Sequence, residues 1–433
     1  MATSPKRGSN AEPISPKRGM GLLVLKVGSS TLLMNDERGQ RVRLKNVAAL
    51  VEQIAELKLG GYQVVLVSSG AVGMGLIKLG IPKPTSLRTK QAVAAAGQSQ
   101  LMRMYEDMFV TVGLHCAQLL ISQSDFMDKV HWQNIKHTIH ESLKLDLVPV
   151  INENDVTNTE ELRFGDNDNL AALTAVQLEA DWLFLCTDVD YLYTANPRVD
   201  PSAEPLRVVP EPWALKVDTK SGGSSLGTGG MATKLMAGRT ASAAGIRCGL
   251  INGAHVDRMQ TFLKYDADSP ESPLPEGTYF MAMNRNLNAN RAWILSLPAS
   301  GELVIDDGAA RALAENKSLL PVGILKVTGQ FLSGEAVKIC HRSNEVARAT
   351  VNFTSDELTK IKQRNSSEFE EILGYTCCAE ACYRGATILM ADPEFLRKQD
   401  VLGKLKEPPT PSRHRGSDNA KSSSQRSSRS AER

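Results

Sequence analysis

Between Gly21 and about Leu263, short apolar runs alternate with stretches whose apolar residues recur at helical spacing. The runs Gly21–Val27, Gln63–Val67, Cys116–Ser122, Leu147–Ile151, Trp182–Cys186 and Cys248–Ile251 predict strands bounded by polar turns. The stretches between them predict helices over Asn46–Leu59, Met102–Val110, His131–Leu143 and Leu170–Leu178. In the first, Val47, Leu50, Val51, Ile54 and Leu57 form one stripe. Near-continuously apolar strands need cover on both faces, so the alternation implies an α/β unit around a mainly parallel sheet. Ligands of such sheets sit beyond the C-terminal strand ends. Polar loops fall at those ends, at Gly28–Thr31, Ser68–Gly70, Asn152–Asp155 and Thr187–Asp188.

The pattern changes around Asp266–Gly277 (DADSPESPLPEG), where Asp, Ser, Pro and Glu gather as in a linker between folding units. Beyond it short strands are expected at Ala292–Leu297, Glu302–Ile305, Ile324–Thr328, Ala336–Cys340 and Glu345–Val351, with one helix over Asp307–Glu315. The expected organisation is a disordered tail over 1–18, an α/β domain over 19–264, a linker over 265–289, a small mostly β domain over 290–391, and a disordered basic Ser/Arg-rich tail over 392–433. SPKRG occurs twice in the first tail, at Ser4–Gly8 and Ser15–Gly19.

Composition narrows the function classes. A net charge of +2 argues against a dedicated nucleic-acid binder. Seven cysteines without a C-x-x-C pair fit neither a disulfide framework nor a regular zinc site, and reduced thiols in a cytoplasmic protein are expected. No apolar run reaches membrane-spanning length, so no membrane partner is expected.

The loops carry the chemistry. Gly222–Lys234 (GGSSLGTGGMATK) is glycine-rich and runs directly into a helix, which offers free backbone N–H groups and a helix N-terminus to phosphate. It is not a Walker motif, because Met231, Ala232 and Thr233 separate Gly230 from Lys234. Lys26 ends the first strand after a run of apolar residues; its half-buried ammonium calls for an anionic ligand. Ser69 and the Gly70 and Ala71 amides make a second anion site at the start of another helix. Two such sites on one sheet edge suggest two anionic reactants. Of the Asn- and Asp-rich loops, Asp155 is expected to hold a cationic amine, Asn167 a carboxylate or carbonyl, and Asp168 to orient both lysines. Thr187 and Asp188 offer an edge for adenine or ribose. None of the seven histidines lies in these loops, so nothing supports a histidine base. A carboxylate nucleophile needs none, being ionised at neutral pH with a reference pKa of about 4.3.

Taken together and in order, VLKVGSS (24–30), VSSGAVGMG (67–75), AAAGQSQLM (94–102), VPVINENDV (148–156), FGDNDNLAAL (164–173), TDVDYLYTANPR (187–198) and GTGGMATKL (227–235) resemble the amino-acid kinase family. The likeness covers about residues 20–390 and is strongest to members that phosphorylate glutamate, while the small domain resembles a PUA domain. The resemblance implies a three-layer sandwich and ATP-dependent phosphorylation of the γ-carboxylate of L-glutamate, with Mg²⁺ as cofactor, proline as feedback inhibitor and a homo-oligomer. It implies ATP contacts from Lys26, Thr187, Asp188 and the segment Thr228, Gly229, Gly230, Met231, Ala232, Thr233 and Lys234. Lys26, Lys234 and Asp168 would be the catalytic groups, and Ser69, Asp155 and Asn167 would bind glutamate. A PUA-like end raises RNA as a partner, for which the near-neutral charge gives no support. Kinases of N-acetylglutamate or aspartate, and an RNA-binding protein with a degenerate kinase domain, are the alternatives. Asp155 speaks for a free α-amine, and intact Lys26, Asp168 and Lys234 speak against degeneracy.

Overall fold

A computed structural model describes residues 21–37, 39–157, 167–197, 200–212, 215, 230–267, 269, 271–283, 294–295, 297, 299–375, 377–391, 393 and 396. The first expected tail, residues 397–433 of the second, the loop Gly222–Gly229, and Gly165 and Asp166 lie outside the described residues, whereas Leu396, also expected in the disordered second tail, is helical and buried in the core of the smaller unit. The larger unit opens with β1 (Gly21–Val27), α1 (Ser29–Leu32) and a hairpin of β2 (Leu33–Asp36) and β3 (Gly39–Val42). Then follow α2 (Leu44–Leu59), β4 (Tyr62–Ser68), α3 (Ala71–Leu79), α4 (Leu87–Thr111), β5 (Cys116–Ile121), α5 (Gln123–Met127), α6 (Lys129–Lys144) and β6 (Val148–Glu153). After these come α7 (Asn167–Leu178), β7 (Trp182–Thr187), the short strands β8 (Leu192–Tyr193), β9 (Pro205–Leu206) and β10 (Val208–Val209), α8 (Met231–Ala243), β11 (Arg247–Asn252), α9 (Met259–Leu263) and β12 (Thr278–Phe280).

Eight strands form one sheet in the order β10-β12-β11-β7-β1-β4-β6-β5. Every neighbouring pair is parallel except β11 with β12. β1 lies inside the sheet: the chain builds β4, β5 and β6 on one side of it, then crosses to build β7 and β11 on the other. That reversal opens a crevice at the C-terminal end of β1.

Alternation along β1 sorts the two faces. Leu23, Leu25 and Val27 pack into a core with α2 (Val47, Leu50, Ile54), α4 (Leu101, Tyr105) and α9 (Phe262). Leu22 and Val24 point the other way, into a core with α6, α7 and α8. Every residue of α7 is buried except Asn169, so this helix has no solvent face and lies deep beneath the crevice.

Two glycines let α3 and α4 approach until backbones touch. A Cβ on Gly97 would stand 1.9 Å from the Ala71 carbonyl oxygen, and one on Gly75 would stand 2.0 Å from that of Val93.

The smaller unit is a second sheet, order β14-β13-β15-β16-β17, from β13 (Ala299–Ile305), β14 (Ile324–Gly329), β15 (Ala336–His341), β16 (Asn344–Thr350) and β17 (Thr387–Leu389). It has its own core around Leu303, Ile339, Ala347, Phe353 and Leu358. Two sequence expectations need correction here. Ile294 and Leu295, expected in a strand, are helical and buried. The stretch 265–289, expected to be a linker, contains β12, a strand of the large sheet. Tyr279 enters one core and Phe280 the other, so both faces of the sheet hold this segment in place. A run of three apolar-leaning residues was too short to stand out from the Pro- and Glu-rich stretch before it.

The two units also share a core. Ile388 and Met390 of the smaller unit, with Ile294 and Leu295, join the cluster that contains Leu235, Ala237 and Ala241 of α8. Arg348, buried with Glu345 (Nη2–Oε1 2.9 Å), donates from Nη1 to the Leu295 carbonyl oxygen at 3.1 Å. The Met283 N–H donates to the Ser242 carbonyl at the end of α8, 3.0 Å.

Two outcomes follow from this packing. Gly97→Ala should destabilise the protein by about 3 kcal/mol, the upper part of the usual overpacking range, because the obstacle is backbone rather than a mobile side chain. Urea unfolding monitored by circular dichroism measures it; a change within 0.5 kcal/mol, the size of an ordinary surface substitution, would refute the seam. A chain ended after Ser269 lacks β12 and with it Tyr279 and Phe280, and should show no cooperative thermal transition. An unaltered melting midpoint in that truncation would refute the placement of β12 as part of the larger unit.

Candidate active site

Strand alternation turns Lys26, like Leu22 and Val24, toward the layer that holds α7 and α8. There its Nζ meets Asp168 Oδ1 at 2.5 Å. Asp168 is the second residue of α7 and has no exposed surface. Its other oxygen, Oδ2, is reached by Lys234 Nζ at 3.0 Å and by the Thr233 hydroxyl at 2.9 Å, both from the first turn of α8. Lys26 is 2% and Lys234 8% exposed. Three elements distant in sequence thus deliver two ammonium groups to one carboxylate. The sum is a buried cluster of two ammonium groups on one carboxylate, a concentration of positive charge at the sheet's C-terminal edge. Such an arrangement suits an anion at this edge.

Thr233 is fixed further by donating to the Gly230 carbonyl at 2.8 Å, which ties the start of α8 to the end of the glycine-rich loop. Gly28 begins α1 beside this cluster; a Cβ there would stand 3.5 Å from Lys26 Nζ, so the chain folds closely over the ammonium. Cys186, the β1 neighbour in register with Val27, lies beneath the cluster. Burial pushes its thiol up to about 12 despite the opposing pull of Lys26, so it stays protonated and unreactive.

A second set of polar groups lines the ends of β4 and β6. The Ser69 N–H donates to the Val27 carbonyl at 2.9 Å, which joins the loop after β4 to the end of β1. Gly70 then adopts φ 110, a conformation that favours glycine, and so starts α3 abruptly with its first N–H groups unpaired within the helix. Asn167 Nδ2 donates to the Ser68 carbonyl (2.7 Å) and to Asn152 Oδ1 (2.8 Å). Asn152 Nδ2 donates in turn to Gln98 Oε1 at 2.8 Å. Asn167 has therefore committed both N–H bonds, and the group it retains for a ligand is its carbonyl oxygen. The expectation that Asn167 holds a carboxylate or carbonyl through its N–H groups gives way to that of an acceptor, because both N–H bonds are taken. Asp155 is half-buried in the turn after β6, where its N–H donates to the Glu153 carbonyl at 3.0 Å.

Thr187 is buried at the end of β7; its carbonyl accepts from Gly253 N–H at 2.7 Å and its hydroxyl donates to Asp188 Oδ1 at 3.2 Å. Asp188 itself is exposed. Of the residues expected at the site, the structure brings Lys26, Asp168, Thr233 and Lys234 into contact, with Gly230, Met231 and Ala232 leading into the same helix. Ser69 and Asn167 form a neighbouring group, while Thr187 and Asp188 stand on the far side of β1. Thr228 and Gly229 fall outside the described residues.

Sequence reading passed over Asn152 as an individual residue and Gln98 entirely. A signal existed for Gln98: it shares a helix face with Ala94, Leu101 and Tyr105, all buried, and a polar residue on a core stripe demands a partner.

A model of the amino acid kinase family matches residues 21–252, and a PUA domain model matches residues 301–373. The glutamate 5-kinase of Synechococcus sp. (strain JA-3-3Ab) is 41% identical over 375 residues, spanning 86% of this chain and 98% of that protein. That of Rippkaea orientalis (strain PCC 8801 / RF-1) is 42% identical over 359 residues, spanning 82% and 95%. Among solved structures, the T. acidophilum isopentenyl phosphate kinase product complex is similar with a TM-score of 0.41 and 18% identity, covering 60% of this chain and 99% of that one. With a family model matched over more than half its length and such relatives matched nearly end to end, the chain belongs to the amino acid kinase family, among its glutamate 5-kinases, with a PUA domain behind the kinase unit.

Proposed function

We propose that this chain transfers the γ-phosphoryl group of ATP to the γ-carboxylate of L-glutamate, giving L-glutamyl 5-phosphate and ADP, the first step of proline synthesis. The observation that carries the reading is the buried cluster in which Lys26 and Lys234 converge on Asp168 at the sheet's C-terminal edge. The reaction joins two anions, and repulsion between them is the barrier that such a cluster lowers. A carboxylate oxygen attacks Pγ, the bond from Pγ to the ADP oxygen breaks, and no proton has to be removed. That agrees with loops that offer lysines and amides but no histidine.

In this reading Lys26 and the segment 228–234 hold the ATP phosphates, and Lys234 follows the phosphoryl group as charge develops on it. Asp168 keeps the two ammonium groups apart and aimed, and Thr187 and Asp188 contact the nucleotide. Ser69, Asp155 and Asn167 bind glutamate, with Asp155 and the Asn167 carbonyl oxygen suited to its ammonium. Mg²⁺ would enter with the ATP phosphates as part of that substrate. Feedback inhibition by proline, assembly as a homo-oligomer and a cytoplasmic location belong to the same proposal. No helix among the described residues is long and apolar enough to cross a membrane. Incubation with ATP, Mg²⁺ and hydroxylamine traps the acyl phosphate as a hydroxamate. Glutamate should give product where aspartate and N-acetylglutamate do not, and the reverse preference would refute the reading.

Lys26→Ala and Lys234→Ala should each lower kcat some hundred- to thousandfold, the loss of about 2.7–4 kcal/mol typical for one preorganised donor. Normal turnover in both, with circular dichroism unchanged, would remove them from the mechanism. Asp155→Asn should raise KM for glutamate far more than KM for ATP, since the substrate ammonium loses its charged partner. Equal effects on the two substrates would assign Asp155 elsewhere.

A further inference from the structure

Tyr105 of α4 and Ser68, the last residue of β4, are both fully buried, and their hydroxyl oxygens stand 2.8 Å apart. Which hydroxyl donates is decided by a third group. Ser68 Oγ also lies 3.0 Å from the Ser69 carbonyl oxygen, which can only accept. A serine hydroxyl carries one proton, so Ser68 donates to that carbonyl and accepts from Tyr105. Burial pushes the Tyr105 hydroxyl up from the ordinary tyrosine range, so it keeps the proton it donates. The result is a one-way relay from Tyr105 through Ser68 to the Ser69 carbonyl.

That relay ends on the peptide between Ser69 and Gly70. A peptide unit is planar, so holding its carbonyl also sets the direction of its N–H. The residue that follows usually fixes such a peptide, but glycine accepts either sign of φ. Gly70, at φ 110, therefore lets this peptide turn over at little steric cost. Ser69 is anchored on its other side, where its N–H donates to the Val27 carbonyl at 2.9 Å. The relay supplies the second anchor. With both backbone groups of Ser69 held, its half-buried side chain leaves the backbone in one direction.

We propose that Tyr105 is a positioning residue for glutamate: its hydroxyl, acting through Ser68, locks the Ser69–Gly70 peptide and so sets Ser69 to receive the substrate. The inference rests on the functional reading above, in which Ser69 binds glutamate. A buried tyrosine needs some partner for its hydroxyl, and for packing alone any acceptor would serve. What distinguishes Tyr105 is the peptide at the end of its relay, which glycine leaves able to turn.

Tyr105→Phe removes one oxygen and keeps the ring, whose centroid lies 6.1 Å from that of Phe109. KM for glutamate should rise roughly three- to tenfold, the effect of one neutral hydrogen bond, while KM for ATP stays unaltered. A lowered melting midpoint beside an unmoved glutamate KM would make the hydroxyl a packing partner only and overturn the proposal. Equal rises in the two KM values would overturn it as well. Ser68→Ala breaks the same relay one step later and should give the same split between substrates. Because both changes interrupt one pathway, the double variant should exceed the larger single effect on glutamate KM by less than about twofold. Effects that multiply would show two independent roles and overturn the proposal. Should Tyr105→Phe fail to fold, Ser68→Ala decides alone: a raised glutamate KM beside an unmoved ATP KM supports the relay, and an unmoved glutamate KM overturns it. Wild-type protein that phosphorylates another acid but not glutamate would instead overturn the functional reading, and this inference with it.

Discussion

Asp168 stands with no exposed surface between the ammonium groups of Lys26 and Lys234, and the rest of the larger unit is arranged to make that possible. Two like charges buried within reach of each other would drive β1 and α8 apart; a carboxylate fully removed from water would be equally costly alone. Together they satisfy one another, and the two ammonium groups are held in place. Removing one partner of such a set is far more damaging than its net contribution suggests, because what remains is a buried, unbalanced charge.

The sheet topology places this cluster at the crevice beyond the end of β1. β1 lies at the point where the chain reverses its direction of sheet building, so loops after β4 and β6 approach from one side and those after β7 and β11 from the other. The Ser69 N–H bond to Val27 and the Gly253 N–H bond to Thr187 lock loops of both sides to strand ends. The two lysines and the Gln98–Asn152 amides are then held by adjacent residues of the α7 N-terminus, Asp168 bonding the lysines and Asn167 the amides. A shift of that single helix end would disturb both halves at once.

The PUA domain is not a passive appendage on a linker. Ile388 and Met390 extend the core under α8, the helix that supplies Thr233 and Lys234, and Met283 is bonded to that helix's C-terminal end. Packing of the second domain therefore bears on an element whose other end holds Asp168 through Thr233 and Lys234. Arg348 and Glu345, both nearly buried at this joint, satisfy each other and the Leu295 carbonyl, which fixes how the two units meet.

Apolar runs and helical stripes in the sequence sufficed for the layered α/β unit, its mainly parallel sheet and the polar loops at its C-terminal edge, because period and apolarity are local properties of the chain. Motif order sufficed for the family. Lys26 was suspect from its position after an apolar run, since that context alone implies burial. What lay beyond the sequence was every relation that depends on distance in space. β12 is three residues long and looks like part of a Pro-rich connection until β10 and β11 are beside it. Gly75 and Gly97 are two glycines among many until α3 and α4 are packed against each other. Asn167 could have offered either end of its amide, and only the Ser68 carbonyl, 99 residues away in the chain, decided which. Hydrogen-bond polarity is settled by partners, and partners at such separations are supplied by the tertiary fold.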